Sequence, residues 1–228
     1  MTREHFNAEL KRLQDETCVL GTMVATSITE AVRQLCARDR AGSERLIAWD
    51  RRVNEKCHAI EMATLTLIAT QAPVATDMRV LAAVLETARE LERIGDYAKG
   101  IAAISLKLGD APYAQPVWDL LTEMSVRARD MLDRALDAFA RRDLPAAHAI
   151  IRQDDGIDDL FNQIFGIAMH PNGALPGVAA GDLTATLERA NYLMWIAHNL
   201  ERSADRVTNI CQRVIFTVTG ELDDLDPM

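Results

Sequence analysis

The chain has 228 residues, 49% hydrophobic and 26% charged, a globular composition that excludes a disordered chain and is long enough to bury a core without disulfide or metal staples. Its formal net charge of −9 lacks the basic footprint of a nucleic-acid binder, so no nucleic-acid partner is expected. Only eleven Gly and seven Pro punctuate it, and aromatic residues make up 5%, so long elements are expected and helix is favoured over sheet.

Proline stands at 73, 112, 116, 145, 171, 176 and 227, and the spans between carry apolar residues at three- and four-residue spacing. Six helices are predicted, over about 3–37, 40–70, 76–107, 114–141, 144–169 and 181–219. The first carries the stripe Leu10, Leu13, Thr17, Leu20 and Val24, and breaks from the second near Ala37 to Gly42, where Asp39 can cap a new start. Pro73 ends the second helix, and Thr76 or Asp77 can cap the third. The third carries Leu81, Val84, Leu85, Ala88, Leu91, Gly95 and Ala98; the sixth carries Ile196, Leu200, Ala204, Val207, Cys211 and Val214. No segment alternates with period two for any length, so the fold class is all-α.

The helices form two sets of three. Ala31, Leu35 and Arg38-Asp39 recur as Ala135, Phe139 and Arg142-Asp143, an offset of 104. Ile47, Asp50, Val53 and Asn54 recur as Ile151, Asp154, Ile157 and Asp158 at the same offset. Later the offset becomes 109: Leu91-Glu92-Arg93 and Asp96 match Leu200-Glu201-Arg202 and Asp205. The extra five residues fall in the loop from Met169 to Gly177, where an insertion is tolerated. The expected architecture is two tandem three-helix bundles of six long antiparallel helices, with repeats at 1–110 and 111–220 and an acidic tail at 221–228. Charge divides unevenly: net −1 over 1–113 and −8 over 114–228, half of the latter from Glu221, Asp223, Asp224 and Asp226 in a solvated tail.

The N-terminus has no apolar signal region, and the longest uncharged run, Leu160 to Gly181, holds two Pro and four Gly and cannot span a bilayer as one helix. Cys18, Cys36, Cys57 and Cys211 form no CxxC pair and read as buried thiols of a reduced, cytosolic protein. Signatures of common catalysts are missing: no GxSxG, HExxH, GxxxxGK[ST] or GxGxxG. Glu55 and His58 have the spacing of a di-iron bundle, but Asn162 stands where a second His would be needed. His198 reads as a face residue, and Trp49, Trp118 and Trp195 read as packing.

The most informative residues are acids four apart. Glu92/Asp96 and Glu201/Asp205 lie on the third helix of each repeat; Asp154/Asp158 lies on a second helix, whose counterpart Asp50/Asn54 keeps one acid. Like charges at this spacing repel by ~0.2–0.5 kcal/mol. Their recurrence beside the apolar stripe suggests a cation, and carboxylate oxygens suit hard ions such as Mg, Ca, Mn or Fe. A salt-bridge ladder is the competing reading, since Arg89, Arg93 and Lys99 flank the first pair and His198, Arg202 and Arg206 the second.

The opening Met1, His5-Phe6, Leu10 and Leu13, the turn Gln71 to Arg79, the motif Glu92-Arg93-Ile94-Gly95-Asp96, and Glu201-Arg202-Ser203-Ala204-Asp205 followed by Asn209-Ile210-Cys211 together resemble the PhoU family over essentially the whole chain. The resemblance implies two three-helix bundles related by pseudo-twofold symmetry. It also implies a cytoplasmic, non-enzymatic negative regulator of phosphate uptake and of the phosphate-starvation response, an adaptor between the ATPase of a phosphate ABC transporter and a sensor histidine kinase, with membrane contact only through those partners. A homodimer is the expected assembly. The family's acidic motifs bind clusters of divalent or trivalent metal ions (Fe, Mn, Mg or Zn). Carried over, the ligands are Glu92, Asp96, Glu201 and Asp205, with Asp50, Asp154 and Asp158 on the neighbouring helices. Ser203-Ala204 in place of Ile-Gly departs from the pattern, as does Asn54 in place of a second acid; because of Asn54, the site with Asp154, Asp158, Glu201 and Asp205 is expected to be the better filled. The alternative is a metal-dependent helical enzyme, an oxidase or phosphohydrolase, using the same carboxylates.

Overall fold

A computed structural model describes residues 3–108, 113–169 and 183–221. Its elements are α1 (Arg3–Ala37), α2 (Arg40–Gln71), α3 (Ala75–Leu108), α4 (Gln115–Arg141), α5 (Leu144–Ile151), α6 (Asp155–Met169) and α7 (Leu183–Thr219). Among the described residues there is no strand. The expected 110/111 boundary, the loop beyond Met169 and the tail acids Asp223, Asp224 and Asp226 lie outside the described residues.

The apolar stripes form the core. Leu13, Leu20, Val24, Leu81, Val84, Leu91, Ile196, Leu200 and Val207 are all but fully buried. Burial of this kind contributes roughly 1.5–3 kcal/mol per large side chain and holds the long helices in place. The helices α1, α2 and α3 pack on one another; α4 and α7 pack with α5 and α6 to form the second bundle. The bundles meet where α3 packs on α7 and α1 on α4. Both seams join like with like under the sequence repeat, the signature of a pseudo-twofold axis. With α1 and α7 at 35 and 37 residues, each runs for about 50 Å.

The corresponding turns use the same local chemistry. Arg38 and Arg142 end their helices in the left-handed region, at φ 56° and 55°. The following Asp39 and Asp143 are N-caps whose Oδ1 atoms accept from the backbone N–H of Gly42 (2.8 Å) and Ala146 (2.9 Å). Replacing either aspartate by alanine leaves one end-of-helix N–H without its partner. Asp39→Ala and Asp143→Ala are each expected to cost about 1 kcal/mol, read as matching falls in the urea midpoint.

Several sequence expectations are corrected. The helix expected over 144–169 is two, because residues 152–154 form a turn between α5 and α6. Asp154, Asp155 and Gly156 favour helix starts and turns over helix interiors. The Asp154 carbonyl accepts from the N–H groups of Ile157 (2.8 Å) and Asp158 (3.2 Å), so Asp154 opens α6 where its counterpart Asp50 lies inside α2. Asp77 does not cap α3, which begins two residues earlier; it is buried and takes a two-pronged bond from Arg3 (2.5 and 3.0 Å), tying α1 to α3. That guanidinium holds the Asp77 carboxyl below the usual carboxylate range. Trp195 is half-exposed, its ring edge against His198, and is not packing. Cys57 and Cys211 are buried free thiols, pushed up to about 11 and about 12 by burial, while Cys18 and Cys36 are half-buried. Among the described residues no helix is long and apolar enough to cross a membrane.

Candidate metal centres

Each repeat gathers its acids between its second and third helical segments. In the first, α2 supplies Asp50 and Asn54 and α3 supplies Glu92, Asp96 and Lys99. Gly95 sets the approach of the two helices: a Cβ there would stand 3.1 Å from Val53 Cγ1 and 3.7 Å from Asp50 Oδ1. Asp50 is only 6% exposed. Its Oδ2 accepts from Lys99 Nζ (2.8 Å) and Asn54 Nδ2 (3.2 Å), and Lys99 also reaches Asp96 Oδ1 (2.9 Å). These two carboxylates hold the lysine in its charged form, well above its usual range. Glu92 is half-buried; burial and repulsion from Asp96 and Asp50 raise its carboxyl. Of the flanking cations expected to ladder with Glu92 and Asp96, Arg89 instead pairs with Glu61 on α2 and Arg93 with Glu90.

In the second repeat, Asp154 and Asp158 come from the start of α6 and Glu201 and Asp205 from α7. Burial, then repulsion from Asp205, Asp158 and Asp155, pushes Asp154 up to about 7. Burial, then Asp205, with Asp158 and Asp154 adding, pushes Glu201 up to about 7. Asp158 is raised by burial and by Asp205. Four acids therefore share one region. Arg202 pairs with Asp205. His198 Nδ1 lies 3.3 Å from Glu201 Oε2 without hydrogen-bond alignment, and both that oxygen and Asp154 Oδ1 are buried with no hydrogen-bond partner.

The seven expected ligand residues thus fall into two groups, as the repeat requires. They differ from a uniformly surface site: Asp96 and Asp158 are exposed, Asp50 is buried, and the rest are intermediate. Among the described residues, no three His, Cys, Asp or Glu side chains are grouped so as to hold a metal ion as they stand. The donor chemistry of the second group nevertheless fits a hard cation, with unpaired buried carboxylate oxygens and mutual repulsion for an ion to relieve. The first group also keeps a buried carboxylate oxygen without a hydrogen bond, Asp50 Oδ1, but it does not fit a metal ion because Lys99 already stands between Asp50 and Asp96 and bridges the two helices.

Sequence reasoning missed a polar knot in the α3–α7 seam. Glu90, 7% exposed, accepts from Arg93 (3.1 Å), Arg206 (3.4 Å) and Asn209 (3.1 Å). Its partner across the seam, Asn209, is 119 residues away. The repeat offset of 109 pairs Glu90 with Asn199 and Asn209 with Gly100, and a Cβ on Gly100 would stand 3.2 Å from Asn199 Nδ2. The same contact is therefore made twice across the axis, polar at both ends once and with a glycine at one end the other time.

Known proteins give this arrangement its relatives. The PhoU domain matches twice, over residues 18–105 and 121–214. The phosphate-specific transport system accessory protein PhoU homolog of Streptococcus pneumoniae serotype 4 is 31% identical, covering 98% of this chain and 100% of that one. The PhoU accessory protein of Escherichia coli K12 is 31% identical over 95% of this chain and 86% of its own length. The crystal structure of the phosphate transport system regulatory protein PhoU from S. pneumoniae superposes with a TM-score of 0.83 at 28% identity, covering 96% of this chain and all of that one. That of PhoU from Pseudomonas aeruginosa gives 0.84 at 24% identity and speaks to the fold alone. With both repeats matched and relatives aligned from end to end, the chain belongs to the PhoU family.

Proposed function

We propose that this chain is an accessory regulator of phosphate uptake: a cytoplasmic, non-enzymatic adaptor that engages the ATPase of a phosphate ABC transporter and a phosphate-sensing histidine kinase, and restrains the starvation response when phosphate is plentiful. The observation that carries the reading is the end-to-end match, through both repeats, to relatives named as phosphate-transport accessory and regulatory proteins. A twofold-related body offers two similar docking faces, which suits an adaptor and also a homodimer. Charge differs between the halves, net −1 over 1–113 and −8 over 114–228 with half of the latter from the tail acids, and charge of that kind governs partner choice and encounter rate.

In this reading Asp154, Asp158, Glu201 and Asp205 hold a divalent or trivalent metal ion, such as Fe, Mn, Mg or Zn. When bound, the ion would neutralise the second acidic group and cross-link α6 to α7. The chain's own part is to bring four carboxylates into one half-buried region and to leave oxygens there unpaired. The enzymatic alternative gains no support, because the relatives are named for accessory and regulatory roles.

Deleting the gene is expected to switch on phosphate-scavenging genes in phosphate-rich medium, and restoring the intact chain should silence them. Transcript levels decide it: unchanged expression in the deletion strain rejects the regulatory assignment.

A further inference from the structure

Lys99 and Thr208 occupy equivalent places, each three residues after the last acid of its helical pair and related by the offset of 109. Their side chains do opposite things. Lys99 reaches from α3 towards α2 and sets one ammonium between Asp50 (2.8 Å) and Asp96 (2.9 Å). Thr208 turns its hydroxyl back to the Asp205 carbonyl on its own helix (2.8 Å) and brings no charge to its group. Arg202, the cation paired within the second group, bonds to Asp205 three residues along the same helix and to Tyr97. Asp154 Oδ1 and Glu201 Oε2 have no hydrogen bond, as is also true of Asp50 Oδ1 in the first group, so the two groups differ in the cation set between the helices and not in their orphaned oxygens.

An ammonium and a metal ion compete for the same carboxylate oxygens. Lys99 has the advantage of its tether, since it is delivered by the fold and loses no translational freedom on arrival. It also meets a carboxylate more than nine-tenths buried, and a buried carboxylate holds a cation far more firmly than one in water. Asn54 adds to the effect. Where Asp158 contributes a fourth acid in the second repeat, Asn54 donates to Asp50 and takes up part of the same oxygen.

We infer that Lys99 is a tethered counter-ion standing in for a metal in the first cluster, so that metal binding by this chain is confined to the second repeat. Only the clause on the second repeat rests on the function proposed above; the role of Lys99 rests on its two carboxylate contacts.

The test is manganese(II) titration of the chelator-treated full-length protein, with calorimetry and elemental analysis after desalting. Wild-type uptake is expected to vanish in the double variant Asp158→Asn/Asp205→Asn and to be unchanged by Asp50→Asn. Lys99→Thr, which installs the second repeat's residue, should take up roughly twofold more manganese, and Asp50→Asn should cancel that gain. A folded Lys99→Thr with no gain, or wild-type uptake lowered by Asp50→Asn, overturns the inference. Should Lys99→Thr fail to fold, acetylation of the wild type followed by mass spectrometry replaces it. The reactivity of Lys99 relative to exposed Lys107 should stay low and unchanged on adding manganese; Lys99 becoming as reactive as Lys107 would mean the metal displaces it and the inference falls. A wild type that takes up no manganese removes the second-repeat clause and the metal reading behind it. The role of Lys99 is then decided by the gain in Lys99→Thr alone.

Discussion

Glu90→Ala is expected to lower stability by about 3 kcal/mol, the cost of breaking a buried ion pair by removing one partner. Glu90 gathers Arg93, Arg206 and Asn209 at the seam between the bundles, and Arg206 is itself largely buried. Without the carboxylate, the Arg206 guanidinium loses the counter-charge it pairs with. In a chain of this length that loss corresponds to a melting temperature lower by roughly 6–12 °C, measured by circular dichroism. Glu90→Gln keeps an acceptor for Asn209 and should lose about half as much. A loss under about 0.5 kcal/mol in Glu90→Ala would show that the seam does not depend on this knot.

The second large effect is an inverted pH dependence. Asp154 and Glu201 are both pushed up to about 7, by burial first and then by neighbouring acids. In the unfolded chain they titrate near about 4. Between those limits the folded state binds more protons than the unfolded state, so their contribution makes stability fall as pH rises from about 4 to about 7 and level off above it. This is the reverse of a salt-bridged carboxylate such as Asp77, whose contribution is lost as pH falls through its lowered pKa. After allowance for solvent screening of half-buried groups, each of the two is expected to remove about 1–2 kcal/mol at pH 8 relative to pH 5. Chelator-treated wild type should therefore melt lower at pH 8 than at pH 5, and Asp154→Asn should flatten the difference. Added manganese should restore stability at pH 8 in the wild type and not in Asp154→Asn. A wild type whose stability rises over this range, with Asp154→Asn showing the same slope, would contradict the repulsion ascribed to these acids.

Much of the fold was legible because it is built on regular spacing. The stripes along α1, α3 and α7 recur every three or four residues, and all but the half-buried Leu85 of those residues lie in the core. The duplicated turn was visible as Arg38-Asp39 and Arg142-Asp143, and the structure gives the two pairs matching backbone conformations and matching caps. The break after α5 was hidden by the repeat itself. Residues 151–158 align with an unbroken stretch of α2, so only the local run Asp154-Asp155-Gly156 hinted that the helix restarts there.

The candidate site divided the same way. Spacing located the seven acids but could not say where the neighbouring cations point. Arg89, Arg93 and Lys99 all lie within reach of Glu92 and Asp96 along one helix, yet Arg89 turns to Glu61 and Arg93 to Glu90, and of the three only Lys99 bonds to acids of the expected cluster. The Glu90 knot joins residues more than a hundred apart, and no local pattern carries it. The available signal was a mismatch under the 109 offset: Glu90 against Asn199, and Gly100 against Asn209.

That mismatch gives the halves a lock-and-key polarity. Two first halves paired through α3 would set each Glu90 opposite Gly100, with no amide from Asn209 and no Arg206 to meet it, leaving Arg93 of its own helix as the remaining partner of each buried acid. Two second halves paired through α7 would set Asn199 against Asn209 in a space shaped for a bare glycine. Each half therefore favours the other over a copy of itself.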